Sequence, residues 1–151
     1  MVVRSQVVGE ATPVLSTMTG KLVDVGPEEG RAAAMKLLGN LFLMALAAGF
    51  TDMIALGKAM GVSAAEVGTL FEHFNPGASL AGRYRRMIEG DYDQPSWDLA
   101  MARKDARLMQ EEARGAHLVM LPQLAALMDV MIGRGFGEQD WTVIAKDLLG
   151  K

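Results

Sequence analysis

The sequence predicts an all-α fold in one domain, preceded by a short strand. Half of its 151 residues are hydrophobic but only 6% are aromatic, and Ala, Leu and Met prevail among the apolar types, as is typical of packed helices. Apolar residues also recur at helical spacing over a proline-free stretch from Glu28 to Met60. Recognisable helix starts and stops follow one another along the rest of the chain.

Charge and composition exclude several classes of function. The net charge of −3 indicates no extended phosphate-binding surface, so we expect no nucleic-acid partner. The absence of cysteine excludes disulfides and thiolate metal sites, and it favours a cytoplasmic protein. The longest apolar run, Leu41 to Phe50, is too short to span a bilayer, so it predicts a buried helix and no membrane partner. Residues Met1 to Gly9 lack the pattern of a secretory signal.

A lone strand is expected near the N-terminus. Residues Val14 to Met18 could close a short helix, and Lys21 to Val25 then alternate apolar and polar positions before Gly26 and Pro27. One strand cannot satisfy its own edge groups, and the sequence shows no second strand to pair with it. The chain is therefore expected to be a piece of a larger protein.

The predicted helices begin and end at specific residues. Gly61 is the expected C-cap of the long helix, whose interior Gly39 and Gly49 each cost about 1 kcal/mol relative to Ala and so suggest close packing there. Ser63 and Glu66 form a capping box for the next helix. The remaining predictions are an end of that helix near Phe74, helices over Leu80 to Glu89 and Trp97 to Arg114, a helix with Pro122 in its first turn that ends by Gly133 or Gly135, and a last helix over Asp140 to Leu149.

Motif searches eliminate most catalytic sites. No Gly-x-Gly-x-x-Gly loop follows a strand, and no Walker loop is present. His73 and His117 lie far apart in sequence, and neither has a second ligand at metal-binding spacing, so we expect ordinary helix histidines and no metal site.

Two sets of polar residues remain as candidates. Lys36 and Asn40 are four residues apart, so they project from one helix face and could donate hydrogen bonds to a substrate oxygen, with Lys36 moving a proton. On spacing alone, a solvated helix face explains the pair equally well. Arg103, Lys104 and Arg107 could gather positive charge for a phosphate or carboxylate, with Asp105 as a partner. Charged residues on an amphipathic helix usually face water, and that alternative also stays open.

Taken together, these segments resemble the β-hydroxyacid dehydrogenases, a family that includes 3-hydroxyisobutyrate dehydrogenase and tartronate semialdehyde reductase. The resemblance extends over nearly the whole chain from about Pro13, and five features occur in the family's order. They are the strand Lys21 to Val25 with Gly26-Pro27, the segment Gly30 to Asn40, the break at Gly61, Trp97 at a position where the family usually has Phe, and the pair Lys104-Asp105.

The resemblance implies a fold and a set of roles. The expected fold is the helical C-terminal domain of the 6-phosphogluconate dehydrogenase-like type, with residues 1–27 as the end of a Rossmann domain and 28–151 as a substrate and dimerisation domain. Lys36 would be the catalytic acid/base and Asn40 would bind substrate. Lys104 and Trp97 would lie by the cofactor, NAD or NADP, and the substrate would be a small hydroxyacid or semialdehyde.

Departures from the family pattern limit what this chain does alone. Ala32 stands where the family commonly keeps a second glycine, and the family's Ser-Gly-Gly substrate loop and glycine-rich phosphate loop are missing. We therefore expect weak or absent nucleotide binding and no activity from the isolated chain. Imine reductases share the expected fold, but their residue at the Lys36 position is generally not Lys.

Two functions remain open at this point. The first is a truncated NAD(P)-dependent 3-hydroxyacid dehydrogenase or semialdehyde reductase; the second is a non-catalytic helical dimerisation module that kept the fold. In both cases the apolar run from Leu41 to Ala48 predicts a homodimer or higher oligomer, because a helix that is apolar on every side needs cover on every side.

Overall fold

The computed structural model describes residues 2, 3 and 5–150, with side chains from Gly9 onward. The chain forms two compact units, Met1–Ala47 (unit 1) and Ala48–Lys151 (unit 2).

Unit 1 begins with two short parallel strands joined by a helix. Strand β1 (Val2–Val3) is followed by α1 (Ser5–Leu15) and by β2 (Val23–Asp24), and Val2 pairs with Val23. A helical crossover is the usual connection between parallel strands. The predicted strand at Lys21 to Val25 is thus confirmed in shorter form, but the expectation that the chain holds no partner strand was wrong. A two-residue strand is too short to produce a periodic pattern in the sequence.

Helix α2 (Arg31–Ala59) has 29 residues and is about 43 Å long at the usual rise per residue. It starts after Gly30, whose φ is +79°, and it ends in a Schellman motif. The N–H of Val62 donates to the carbonyl of Gly57 at 2.7 Å, and that of Gly61 donates to Lys58 at 3.2 Å. Gly61 has a φ of +79°, so the predicted glycine C-cap is confirmed.

The sequence predicts that the apolar run in α2 is buried, but in the single chain this run is exposed. Leu41, Leu43 and Met44 are 63%, 62% and 68% exposed. The helix is long and apolar enough to cross a membrane by length and composition, but helices that pack against protein also meet these two criteria. Asp52, near the C-terminal end of α2, accepts hydrogen bonds from backbone N–H groups of unit 2.

The later helices follow their predicted boundaries closely. In α3 (Ala64–His73), both hydrogen bonds of the Ser63–Glu66 capping box are present. Helix α4 (Leu80–Glu89) has the predicted bounds and follows a 3-10 helix at Pro76–Ser79. The others are α5 (Leu99–Glu112), α6 (Leu121–Gly133) with Pro122 in its first turn, and a final segment, Trp141–Leu149, that is a 3-10 helix.

The core of unit 2 lies between α5, α6 and the final 3-10 helix. Small residues on α5 allow close approach of the methionines of α6, which can adapt to irregular space. Leu99 and Val143 are completely buried. The core consists of Tyr92, Leu99, Ala102, Ala106, Ala125, Met128, Met131 and Val143.

Asp52 joins α2 to the start of α6. Its carboxylate accepts backbone N–H groups from Val119 at 2.6 Å, Met120 at 3.0 Å and Leu121 at 2.8 Å. These are the free donors of a helix N-terminus, which a carboxylate satisfies well. Burial alone would raise the pKa of Asp52, but the three backbone hydrogen bonds, with a contribution from His117, lower it.

Close packing on α2 occurs at a different glycine from those predicted. A Cβ at Gly57 would lie 2.8 Å from Cγ2 of Val67 on α3, whereas at Gly49 it would be 3.7 Å from Met120. At Gly39 no atom of the described residues lies within 4 Å. Gly57 therefore sets the approach of α3 to α2.

Candidate active site

Lys36 and Asn40 lie in the N-terminal part of α2, within unit 1. Both residues are exposed. The helix has continuous helical geometry through both positions, so their spacing of four places them on one face, one turn apart. That geometry suits two donors to one substrate oxygen.

Trp97 lies just before α5, in unit 2, where backbone and ring contacts with Trp141 hold it. The backbone N–H of Trp141 donates to the Trp97 carbonyl at 3.0 Å, and the two indole rings are 5.8 Å apart at 58°. Asp98 then caps α5 by accepting the N–H of Met101 at 2.7 Å. Trp97 remains 37% exposed, which leaves part of its ring accessible for stacking.

The basic residues of α5 do not form the free cationic cluster that the sequence allowed. Lys104 lies 3.3 Å from Asp105, and Arg107 pairs with Glu111 at 2.7 Å. Arg103 makes a bidentate pair with Asp129 at 2.7 and 2.9 Å. The hydrogen bonds of this last pair raise the pKa of Arg103 and lower that of Asp129.

A buried carboxylate, Asp140, is the most strongly perturbed acid that the described residues contain. It is 1% exposed and accepts hydrogen bonds from Ser96, Thr142 and Arg86. Burial alone would raise the pKa of Asp140, but these hydrogen bonds outweigh it and lower the pKa to about 2. Asp140 is therefore an anchor that stays charged.

Sequence reasoning identified Asp140 only as a helix boundary and did not single out Arg83 or Arg86. The available signal was the spacing of the two arginines, three residues apart on one face of α4. The hydrogen bond of Arg86 to Asp140 spans 54 positions, which no local pattern shows.

No metal site is apparent in the described part of the chain. His73 and His117 belong to no group of three potential ligand residues there.

The family comparison matches more than three quarters of this chain. A sequence model described as "NAD-binding of NADP-dependent 3-hydroxyisobutyrate dehydrogenase" matches residues 30–148. The chain belongs to the β-hydroxyacid dehydrogenase family. Members of this family bind NAD or NADP. A search of curated proteins gave no match.

Solved structures show the same fold at low sequence identity. An imine reductase variant from Myxococcus stipitatus in complex with NAD+ has a TM-score of 0.86 at 15% identity, covering 97% of this chain and 55% of that one. An imine reductase from Pseudomonas sp. has a TM-score of 0.85 at 14% identity, with coverages of 97% and 52%. A reductive aminase from Aspergillus terreus, in complex with NADPH4, cyclohexanone and allyl amine, has a TM-score of 0.84 at 21% identity, with coverages of 97% and 53%.

These matches confirm the predicted fold, that of the family's helical C-terminal domain. The chain spans about half the length of the matched structures.

The residues of this chain fit only part of a dinucleotide. The exposed part of the Trp97 ring and the half-exposed Lys104 ammonium are suitable contacts for a flat ring and an anionic group. The sequence contains no glycine-rich loop to place backbone N–H groups around a pyrophosphate. The residues of this chain therefore do not form the usual pyrophosphate cradle.

Proposed function

We propose that this chain is the C-terminal helical part of an NAD(P)-dependent 3-hydroxyacid dehydrogenase or semialdehyde reductase. The observation that carries the proposal is the family match over residues 30–148, within which Lys36 and Asn40 stand one turn apart on α2. The family's 3-hydroxyisobutyrate dehydrogenase description supports a small hydroxyacid or semialdehyde substrate.

The proposed domain division is 1–27 and 28–151, with the first segment as the end of a Rossmann domain. The parallel pair of β1 and β2, connected through α1, supports this division, because such units belong to α/β nucleotide-binding sheets. The coverage of about half of each matched chain agrees with a missing N-terminal part.

In the proposed reaction, Lys36 transfers a proton at the substrate oxygen. During oxidation the neutral amine of Lys36 takes the hydroxyl proton as the carbonyl forms; during reduction the ammonium returns a proton to the developing alkoxide. Asn40 donates a hydrogen bond that orients the same oxygen. Trp97 and Lys104 help to seat the nicotinamide cofactor, which supplies or accepts the hydride.

The experiment is turnover of the full-length protein, measured as NADH or NADPH oxidation with a panel of small semialdehydes. Lys36→Ala should lower the rate of the chemical step by about 10² or more, the usual scale for an acid/base group. Lys58→Ala is the matched control, since Lys58 is an exposed lysine in the last turn of the same helix. Equal turnover of the two variants would remove Lys36 from the mechanism.

A second candidate is imine reduction, favoured by the names of the matched imine reductases and reductive aminases. A cyclic imine in the same assay distinguishes the two reactions. Reduction of the imine without reduction of any semialdehyde would replace the hydroxyacid assignment.

The non-catalytic module is the alternative from another class. The DNA sequence upstream of the codon for Met1 tests it directly. An in-frame Rossmann segment supports the enzyme, and its absence supports the module. Because the chain has no glycine-rich phosphate loop, it should bind NAD(H) and NADP(H) poorly on its own. Micromolar binding in calorimetry would contradict this prediction.

A further inference from the structure

Unit 2 contains a cleft of about 260 Å³ beside α4 and the start of the final 3-10 helix. We call it the arginine cleft. Its lining includes Ser79, Gly82, Arg83, Arg86, Ser96, Asp140 and Thr142.

Arg83 is held in place without using its hydrogen-bond donors. Its guanidinium carbon lies 5.2 Å from the centroid of the Trp141 ring, and that ring packs in turn against Trp97. Among the described residues, Arg83 has this aromatic contact and no ion pair or side-chain hydrogen bond. An arginine that uses its face for stacking keeps the N–H groups of its edge available for a planar oxyanion.

The opposite charge in the cleft is already committed. Both oxygens of Asp140 accept hydrogen bonds, Oδ1 from Thr142 and Oδ2 from Ser96 and Arg86. The Arg86–Asp140 pair is neutral as a whole. The charge of Arg83 therefore gives the cleft a net charge of one positive unit. Such a cleft favours an anion over a cation or a neutral molecule.

We propose that the arginine cleft binds the carboxylate group of a small organic acid, with Arg83 as the principal ligand. A single net positive charge matches a monoanion, and the planar fork of a guanidinium matches a carboxylate in bidentate geometry. A volume of about 260 Å³ accommodates a short-chain acid. The inference depends on unit 2 alone and goes beyond the proposed reaction, because it assigns a ligand to residues to which that reaction gives no role.

The test uses tryptophan fluorescence of the 151-residue chain. Its two tryptophans, Trp97 and Trp141, both stand beside the cleft. Sodium acetate is the probe, with sodium chloride holding ionic strength constant and acetamide as the neutral analogue. Acetate should give a saturable change that acetamide does not give.

Two variants determine whether Arg83 is the ligand. Arg83→Ala should weaken acetate binding at least ten-fold, and Arg83→Lys should weaken it less, because it keeps the charge and loses the fork. Arg85→Ala is the matched control, an exposed arginine on the same helix that does not line the cleft, and it should bind acetate as the unmodified chain does. Circular dichroism verifies that each variant is folded.

Three results would overturn the inference. The first is a linear response to acetate equal to that of chloride. The second is unchanged acetate binding in folded Arg83→Ala. The third is saturable binding of inorganic phosphate without binding of acetate, which would assign the cleft to phosphoryl groups instead.

Discussion

The Asp52 carboxylate lies 2.8 Å from the backbone nitrogen of Leu121, 69 positions further along the chain. This contact, with those to Val119 and Met120, fixes where α6 begins against the C-terminal part of α2. Because Met120 at the N-cap supplies no side-chain hydrogen bond of its own, Asp52 acts as the cap from a distant helix.

Asp52→Asn should therefore destabilise unit 2 by about 2 kcal/mol or more, since hydrogen bonds to a charged group are worth about 1.5–3 kcal/mol each and the amide cannot accept as many. Urea denaturation followed by circular dichroism measures the change. Asp91→Asn, at an exposed loop position, should have little effect. Equal stability of the two variants would show that the backbone of α6 does not need the carboxylate.

Asp140 makes the stability depend on acid pH. Its pKa of about 2 in the folded chain is below the ordinary value of 3.8, so its contribution is present above pH 3.8 and is lost as the pH falls through about 2. The loss should amount to about 2 kcal/mol between pH 6 and pH 2. Denaturation curves of the unmodified chain and of Asp140→Asn at both pH values measure this loss of folding free energy.

The difference in stability between the two proteins should shrink by that amount at pH 2. Glu138→Gln, at an exposed position two residues away, is the matched control for the loss of a carboxylate in this segment. A pH-independent difference for Asp140→Asn would mean that Asp140 is not held as a carboxylate.

Gly57 provides a test of packing between α2 and α3. A methyl group there would lie 2.8 Å from Cγ2 of Val67, and a β-branched side chain cannot easily rotate away. Gly57→Ala should destabilise by about 1–2 kcal/mol after the helix propensity gain is subtracted. The double variant Gly57→Ala with Val67→Ala should recover part of that loss. No recovery would place the strain elsewhere.

The helix boundaries could be predicted because caps are local. Each signal lies within about one turn of the helix end that it marks. The capping box of Ser63 and Glu66 and the early Pro122 mark helix starts, and the left-handed Gly61 marks a helix end. The final segment shows the limit, since a nine-residue stretch is too short for its apolar spacing to separate about 3.0 residues per turn from about 3.6.

The contacts that organise the candidate sites could not be predicted from the sequence. Arg86 meets Asp140 across 54 positions and Asp52 meets Val119 across 67, so neither pair leaves a local pattern. The stacking of Arg83 on Trp141 also joins residues far apart in the chain, so it too has no signal in the sequence. Lys36 and Asn40 were found through the family pattern, and their roles remain proposals to be tested by turnover.

The apolar face of α2 predicts self-association. In the single chain Leu37, Leu41 and Met44, spaced i, i+4 and i+7 on one face of the helix, are 60% or more exposed, and exposed apolar surface of this extent marks an interaction site. A second copy presents the same face and is a suitable cover.

Sedimentation of the 151-residue chain at micromolar concentration should therefore give a mass of at least two chains, with about 2,000 Å² or more buried in the interface. Met44→Glu should shift the chain toward monomer, because a charge in the centre of an apolar interface is left unpaired. Met18→Glu is the matched control, since Met18 is 73% exposed and lies outside α2. If the unmodified chain sediments as a monomer, the dimer prediction is wrong. If Met18→Glu dissociates the oligomer as well, the interface does not lie on α2.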